Sequence, residues 1–127
     1  MSLVNGLHHV SMNCKDAEEF EKVVTFYCDT LGLEKLRTWP NGIMLQAGKD
    51  IIEIFSSGES INETGAIRHF AFSVSDVDEC AKVLTQAGYQ IFNGPKDILI
   101  ASNPPLPARI VFCHGPLGEH IEFFCEK

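Results

Sequence analysis

His9-Val10-Ser11-Met12-Asn13-Cys14-Lys15-Asp16 and His69-Phe70-Ala71-Phe72-Ser73-Val74-Ser75-Asp76 are two copies of one pattern. Each opens on His, runs through an apolar-rich stretch and reaches Asp seven positions later. A second pair of segments closes the copies. Asp50-Ile51-Ile52-Glu53-Ile54-Phe55 reads like Glu119-His120-Ile121-Glu122-Phe123-Phe124. Each half therefore begins with His and ends on Ile-Glu-apolar-Phe. A repeat that fills almost the whole chain makes each half one supersecondary unit.

Working outward, residues 7–14 have the length and apolar content of a buried strand. Asp16 is placed to cap a helix, with Glu18 and Glu19 in its first turn, where the helix dipole favours carboxylates. Phe20, Val23, Val24, Tyr27 and Leu31 recur at helical spacing, which predicts an amphipathic helix over 17–31, stopped by Gly32. Strands are expected over 33–39, 43–47 and 51–55, with turns at Pro40-Asn41-Gly42 and Gly48-Lys49-Asp50. The order is β-α-β-β-β. The second half repeats it: a strand over 67–74, a helix over 77–87 capped by Asp76, and Gly88 as its stop. A short strand over 89–92 follows, then a weak one over 98–101. Residues 94–107 hold four of the six prolines, so an irregular loop is expected over 103–107. Strands over 109–113 and 120–125, joined by a turn over 114–118, complete the half. The reading is an α+β chain with module one over 7–55, a polar linker over 56–65 and module two over 66–125.

With 127 residues, 45% apolar and 21% charged, the composition is that of an ordinary globular protein that needs no disulfides to fold. Cys14, Cys28, Cys80, Cys113 and Cys125 form no CxxC pair and mostly sit in apolar runs, as reduced buried thiols do. The net charge of −7 argues against nucleic acid and against anionic membrane surfaces. No run approaches the roughly 20 apolar residues of a membrane helix. Residues 1–7 lack a basic region followed by an apolar core, so no signal peptide is expected and the cytoplasm is the default location.

The repeat also carries the chemistry. His9 and His69 take equivalent places in the opening strands, and Glu53 and Glu122 lie mid-strand in the closing ones. A Glu alternating with apolar residues either faces solvent or is buried with a partner. An unpaired buried carboxylate costs several kcal/mol, and a metal ion removes that cost. Two imidazoles and two carboxylates suit Zn, Ni, Co, Mn or Fe(II), with positions left open for water or substrate.

At these residues the chain resembles the vicinal-oxygen-chelate superfamily, which contains glyoxalases, bleomycin-resistance proteins and dioxygenases. The resemblance is carried by Leu7-His8-His9-Val10 and Phe26-Tyr27-Cys28-Asp29-Thr30-Leu31-Gly32-Leu33 in the first half. Ile52-Glu53-Ile54-Phe55, Arg68-His69-Phe70-Ala71-Phe72 and Gly115-Pro116-Leu117-Gly118-Glu119-His120-Ile121-Glu122-Phe123 complete it. It implies two tandem βαβββ modules with curved mixed sheets. It implies one divalent ion, Ni or Zn foremost and Co, Mn or Fe also accommodated, held by His9, Glu53, His69 and Glu122. His8, one position off, should face the other way.

The His, Glu, His, Glu set is similar to that of glyoxalase I, the lactoylglutathione lyase. It implies a metal-dependent lyase or isomerase that moves a proton through a metal-bound enediolate of a small oxo or hydroxy substrate, such as a thiol adduct. Glu122 aligns with the proton-shuttling base and Glu53 with its counterpart. Asn13 stands where glyoxalase I often has Arg, and Lys35, Arg37 and Arg109 are the candidate replacements for holding substrate carboxylates. His120 and Trp39 could line a pocket. Family relatives are commonly homodimers, and the linker permits a site within one chain or one exchanged between two. The rival readings are a non-catalytic drug-sequestering protein, an epimerase and an iron-dependent dioxygenase of the same superfamily.

Overall fold

The computed structural model describes residue 2 and residues 7–56 and 67–127. The chain divides into two compact units, Met1–Ile61 and Asn62–Lys127. The linker expected over 56–65 lies, apart from Ser56, outside the described residues.

In the first unit, β1 (His9–Asn13) leads to helix α1 (Ala17–Thr25), a π-helical turn (Phe26–Thr30), then β2 (Glu34–Trp39), β3 (Gly42–Ala47) and β4 (Asp50–Phe55). The sheet order is β1-β4-β3-β2, with β1 parallel to β4 and the other pairs antiparallel. In the second unit, β5 (Phe70–Ser73), α2 (Val77–Gln86), β6 (Ile91–Ile100), β7 (Leu106–His114) and β8 (His120–Glu126) give the order β5-β8-β7-β6 with the same mix of directions. The βαβββ repeat is thus present twice. Asp16 and Asp76 cap the helices as expected, accepting from the backbone N–H of Glu19 at 2.8 Å and of Glu79 at 3.0 Å.

Each sheet has one face given to its core. Alternation puts Ile43, Leu45, Ile52 and Ile54 on one side of the first sheet, where they are buried together with Val23, Phe26 and Tyr27 of the helical segment. In the second unit Val111, Cys113, Ile121 and Phe123 are buried with Val77, Ala81 and Leu84 of α2. The opposite faces are left for other work.

Three differences from the sequence reading have physical causes. The helix expected over 17–31 ends in a π turn, closed by the Leu31 N–H donating to the Phe26 carbonyl at 3.0 Å. There the consecutive Phe26 and Tyr27 are both fully buried, ring against ring at 4.8 Å. Second, residues 91–100 form one long strand rather than two short ones. β6 is an edge strand, where Pro95 removes no ladder bond that the sheet needs. Gly94 has φ +85 and lies so close to β7 that a Cβ would fall 2.6 Å from the Ile110 carbonyl oxygen, a place only Gly can take. Third, β7 already begins at Leu106 and ends at His114, so neither the 103–107 loop nor the 114–118 turn has the expected bounds.

The thiols follow burial. Cys14 and Cys113 are fully buried. Desolvation, reinforced by the Glu119 carboxylate, pushes the Cys113 thiol up to about 12. A group whose folded pKa is raised stabilises the fold below its unfolded value, about 9 here, and that contribution is lost as pH rises toward 12. Alkylation of the native protein at pH 8, read by mass spectrometry, should therefore leave Cys14 and Cys113 unmodified, and both should react in denaturant.

Candidate metal centre

The registers define what the open faces carry. In the first unit Ser11, Glu53, Met44 and Arg37 form one row across β1, β4, β3 and β2. Asn13, Phe55, Gly42 and Trp39 form the next, and His9 stands with Ile51 and Gln46 on the other side. Because paired side chains share a face, all of these lie opposite the helix.

On this face His9 Nε2 lies 3.5 Å from Glu53 Oε1. In the second unit Ala71, Glu122 and Phe112 share a row, and His69 Nε2 lies 3.2 Å from Glu122 Oε1. The two pairs are built alike. The Glu sits on the central closing strand, one row beyond a His that starts, or just precedes, the parallel edge strand. Glu53 and Glu122 are 9% and 8% exposed, and they are the buried polar side chains among the described residues. Their imidazole partners are 37% and 41% exposed. Each buried carboxylate lies beside a ring that opens outward, so a carboxylate oxygen and an imidazole nitrogen stand side by side on each open face.

His8 does not turn away from His9, as its position in the strand pattern suggested. Its Nδ1 lies 2.9 Å from His9 Nδ1, and the rings meet edge to face. When His9 Nδ1–H is the donor of that bond, its Nε2 is left as the unprotonated nitrogen. The second unit has Arg68 at the matching position. Replacing His8 by Ala should weaken metal binding about tenfold, read by competition with a chelating dye.

Each unit gathers two donors. Among the described residues no three His, Cys, Asp or Glu side chains come together as a metal-holding group. Two donors are fewer than the three or four that Zn or Ni sites take from protein, so neither pair alone is a full site. The donor types fit such an ion: borderline imidazole nitrogen and hard carboxylate oxygen.

The remaining sequence candidates separate clearly. Arg37 shares the row of Glu53. Lys35 stands opposite Leu45, in a core-face row. Arg109 is taken up elsewhere: its guanidinium donates to both carboxylate oxygens of Asp78 at 2.8 Å and to Asp97 at 3.1 Å. That places it on the α2 side of the second sheet, away from the Glu122 row, and the hydrogen bonds from Arg109 hold the Asp78 carboxyl below the ordinary carboxylate range. It cannot hold substrate beside Glu122. Trp39 lies on the open face against Phe55, ring centroids 5.6 Å apart. Gly42 makes room for it, since a Cβ there would fall 2.5 Å from the indole.

In the second unit His120 pairs with His114 across β8 and β7, on the face of Glu122. Desolvation and the neighbouring His114, Arg68 and His69 hold the His120 pKa below that of a free imidazole. Phe92, which sequence reasoning passed over, packs on both rings. Among the described residues no helix is long and apolar enough to cross a membrane.

Comparison with known proteins agrees with this architecture. The profile of the Glyoxalase/Bleomycin resistance protein/Dioxygenase superfamily matches residues 6–102. The uncharacterized protein YaeR of Escherichia coli (strain K12) is 28% identical over 131 residues, covering 93% of this chain and 94% of its own. Two solved structures share the fold. TnmS3, an antibiotic binding protein from Streptomyces sp. CB03234, superposes with a TM-score of 0.76 at 18% identity over the full length of both chains. The lactoylglutathione lyase of Agrobacterium tumefaciens gives 0.68 at 16% identity, over 96% of this chain and 94% of that one. Paired βαβββ units, a His–Glu pair on the open face of each sheet, and a profile match over most of the chain lead to one assignment: the chain belongs to the Glyoxalase/Bleomycin resistance protein/Dioxygenase superfamily.

Proposed function

We propose that the chain is a metal-dependent lyase or isomerase of the glyoxalase I type. In this reading His9, Glu53, His69 and Glu122 together hold one divalent ion, Ni or Zn foremost, and the enzyme moves a proton between adjacent carbons of a small oxo or hydroxy substrate. The observation that carries it is the duplicated His–Glu pair with its carboxylate buried. A fold retains such a pair twice, at a desolvation cost of several kcal/mol per ion, when a cation offsets the cost. A divalent ion, when bound, supplies Lewis acidity that lowers the cost of removing a proton beside a substrate oxygen.

The chain's own residues do the rest. Glu122 is the general base that takes the proton from one carbon and returns it to the next, and Glu53 is its counterpart from the other unit. Burial of Glu122, in a row with apolar Ala71 and Phe112, keeps bulk water from exchanging that proton during the transfer. His9 and His69 fix the carboxylates in place. The soluble substrate is a small molecule, the cytoplasm is the expected compartment, and the enzyme works as a homodimer.

Assay with methylglyoxal and a panel of thiols tests this. Activity should vanish on chelation and return with Ni or Zn. Turnover that survives exhaustive chelation contradicts the reading.

A second reading, a small-molecule binding protein without turnover, is favoured by the aromatic groups on both open faces, Trp39 with Phe55 and Phe92 with Phe112. Ligand binding indifferent both to chelation and to Glu122→Gln would establish it. Oxygen uptake during turnover would instead mark a dioxygenase.

A further inference from the structure

Beside the His69–Glu122 pair the second sheet carries a wall of rings. Phe92 lies 4.4 Å from His114 and 4.7 Å from His120 between centroids, tilted by 34° and 47°. The two imidazoles meet each other at 4.9 Å. Phe92 also touches Phe112 at 5.6 Å, and Phe112 meets the His69 ring at 5.1 Å. The wall is therefore continuous, ring to ring, with the candidate metal donors.

Two features show that the wall is built and not incidental packing. The β6–β7 register slips between Ile91 and Asn93, so Phe92 is the extra residue of a bulge. A bulge re-aims its side chain, and here it sets an aromatic ring against a face occupied by imidazoles. Phe92 nonetheless stays 40% exposed, so the bulge spends a large apolar ring without burying it. Among the described residues, moreover, neither His114 nor His120 has a side-chain hydrogen bond. Their nitrogens are open to a bonding partner that the described residues do not supply.

We infer that Phe92, His114 and His120 form a subsite for a planar aromatic group of the substrate, seated next to Glu122. The ring of such a ligand stacks on Phe92, and a polar substituent on it bonds an imidazole nitrogen. The inference deepens the proposed function, and rests on that reading only for where the reacting end of the substrate lies. It also sets a substrate preference. Cations beside the two rows are few, Arg37 in the Glu53 row and Arg68 near His120, whereas aromatic surface is plentiful. The substrate is then an aromatic oxo compound or its adduct rather than a thiol peptide with several carboxylates.

Two hydroxamates with the same chelating oxygens separate the claims. Nickel-loaded protein titrated calorimetrically should bind benzohydroxamate about tenfold more tightly than acetohydroxamate, the size of effect one well-placed aromatic contact gives. Phe92→Ala should remove most of that ratio, and Phe92→Leu should keep part of it. Equal affinities, or a ratio untouched by Phe92→Ala, overturn the subsite while leaving the metal site standing. Binding of neither hydroxamate means that the held ion has no open positions and overturns the lyase reading instead, and the metal-free protein then decides the subsite. Benzamide should shift the ring C–H resonances of His114 and His120 but not those of His8, and absence of that shift overturns the inference.

Discussion

Replacing Glu122 by Gln is expected to lower kcat roughly a thousandfold while leaving the metal-free protein as stable as its parent, or more so. General-base catalysis contributes about 10²–10⁴ in rate, and an amide cannot take the proton. The KM should change little, because the loss falls on the transition state. The stability half of the prediction separates function from folding. In the absence of metal, Glu122 is a buried charge with one half-exposed imidazole for company. Gln fills the same space without that charge, so its unfolding midpoint should hold or rise. Such a trade of stability for function is what a poised site shows. The metal-dependent rise in Tm should shrink at the same time, since an ion at a hundred times its Kd adds about 2.7 kcal/mol. Thermal melts with and without Ni check both halves.

Leu45→Ala is expected to cost about 2–5 kcal/mol. Leu45 is fully buried on the core face, in the row of Ile52. Truncation removes apolar contact and leaves a cavity that the flanking strands cannot close without breaking register. Against a total of about 5–15 kcal/mol, a loss of that size is a large share. The urea midpoint should fall with little change in slope. Met44→Ala, one residue earlier and on the open face beside Glu53, should cost much less, which checks the assignment of faces.

The parts of this structure that were legible in the sequence are those written twice. The His and Glu of each half could be set in equivalent places because two copies report the same position, and the caps Asp16 and Asp76 were legible for the same reason. What the sequence concealed was local and unrepeated. Gly94-Pro95 reads as a strand breaker, and only the edge position of β6 makes it tolerable. Phe92 could not be assigned to the open face, because a bulge shifts the period-2 rule on which such assignments rest. The π turn at Phe26–Thr30 leaves no mark in the spacing of apolar residues. Arg109 looked free until α2 brought Asp78 to it, a contact between residues 31 apart. His8 and His9 looked like opposite faces of a strand, yet the chain before β1 lets their Nδ1 atoms meet.

The central claim is that the two His–Glu pairs act as one site. Titration of the full chain with Ni or Zn, with the bound metal counted by mass spectrometry under native conditions, tests it most directly. One ion per set of four residues, with affinity falling at least tenfold in both His9→Ala and His69→Ala, is the predicted result. Two independent ions per chain, or binding that one of the two substitutions leaves untouched, would contradict it.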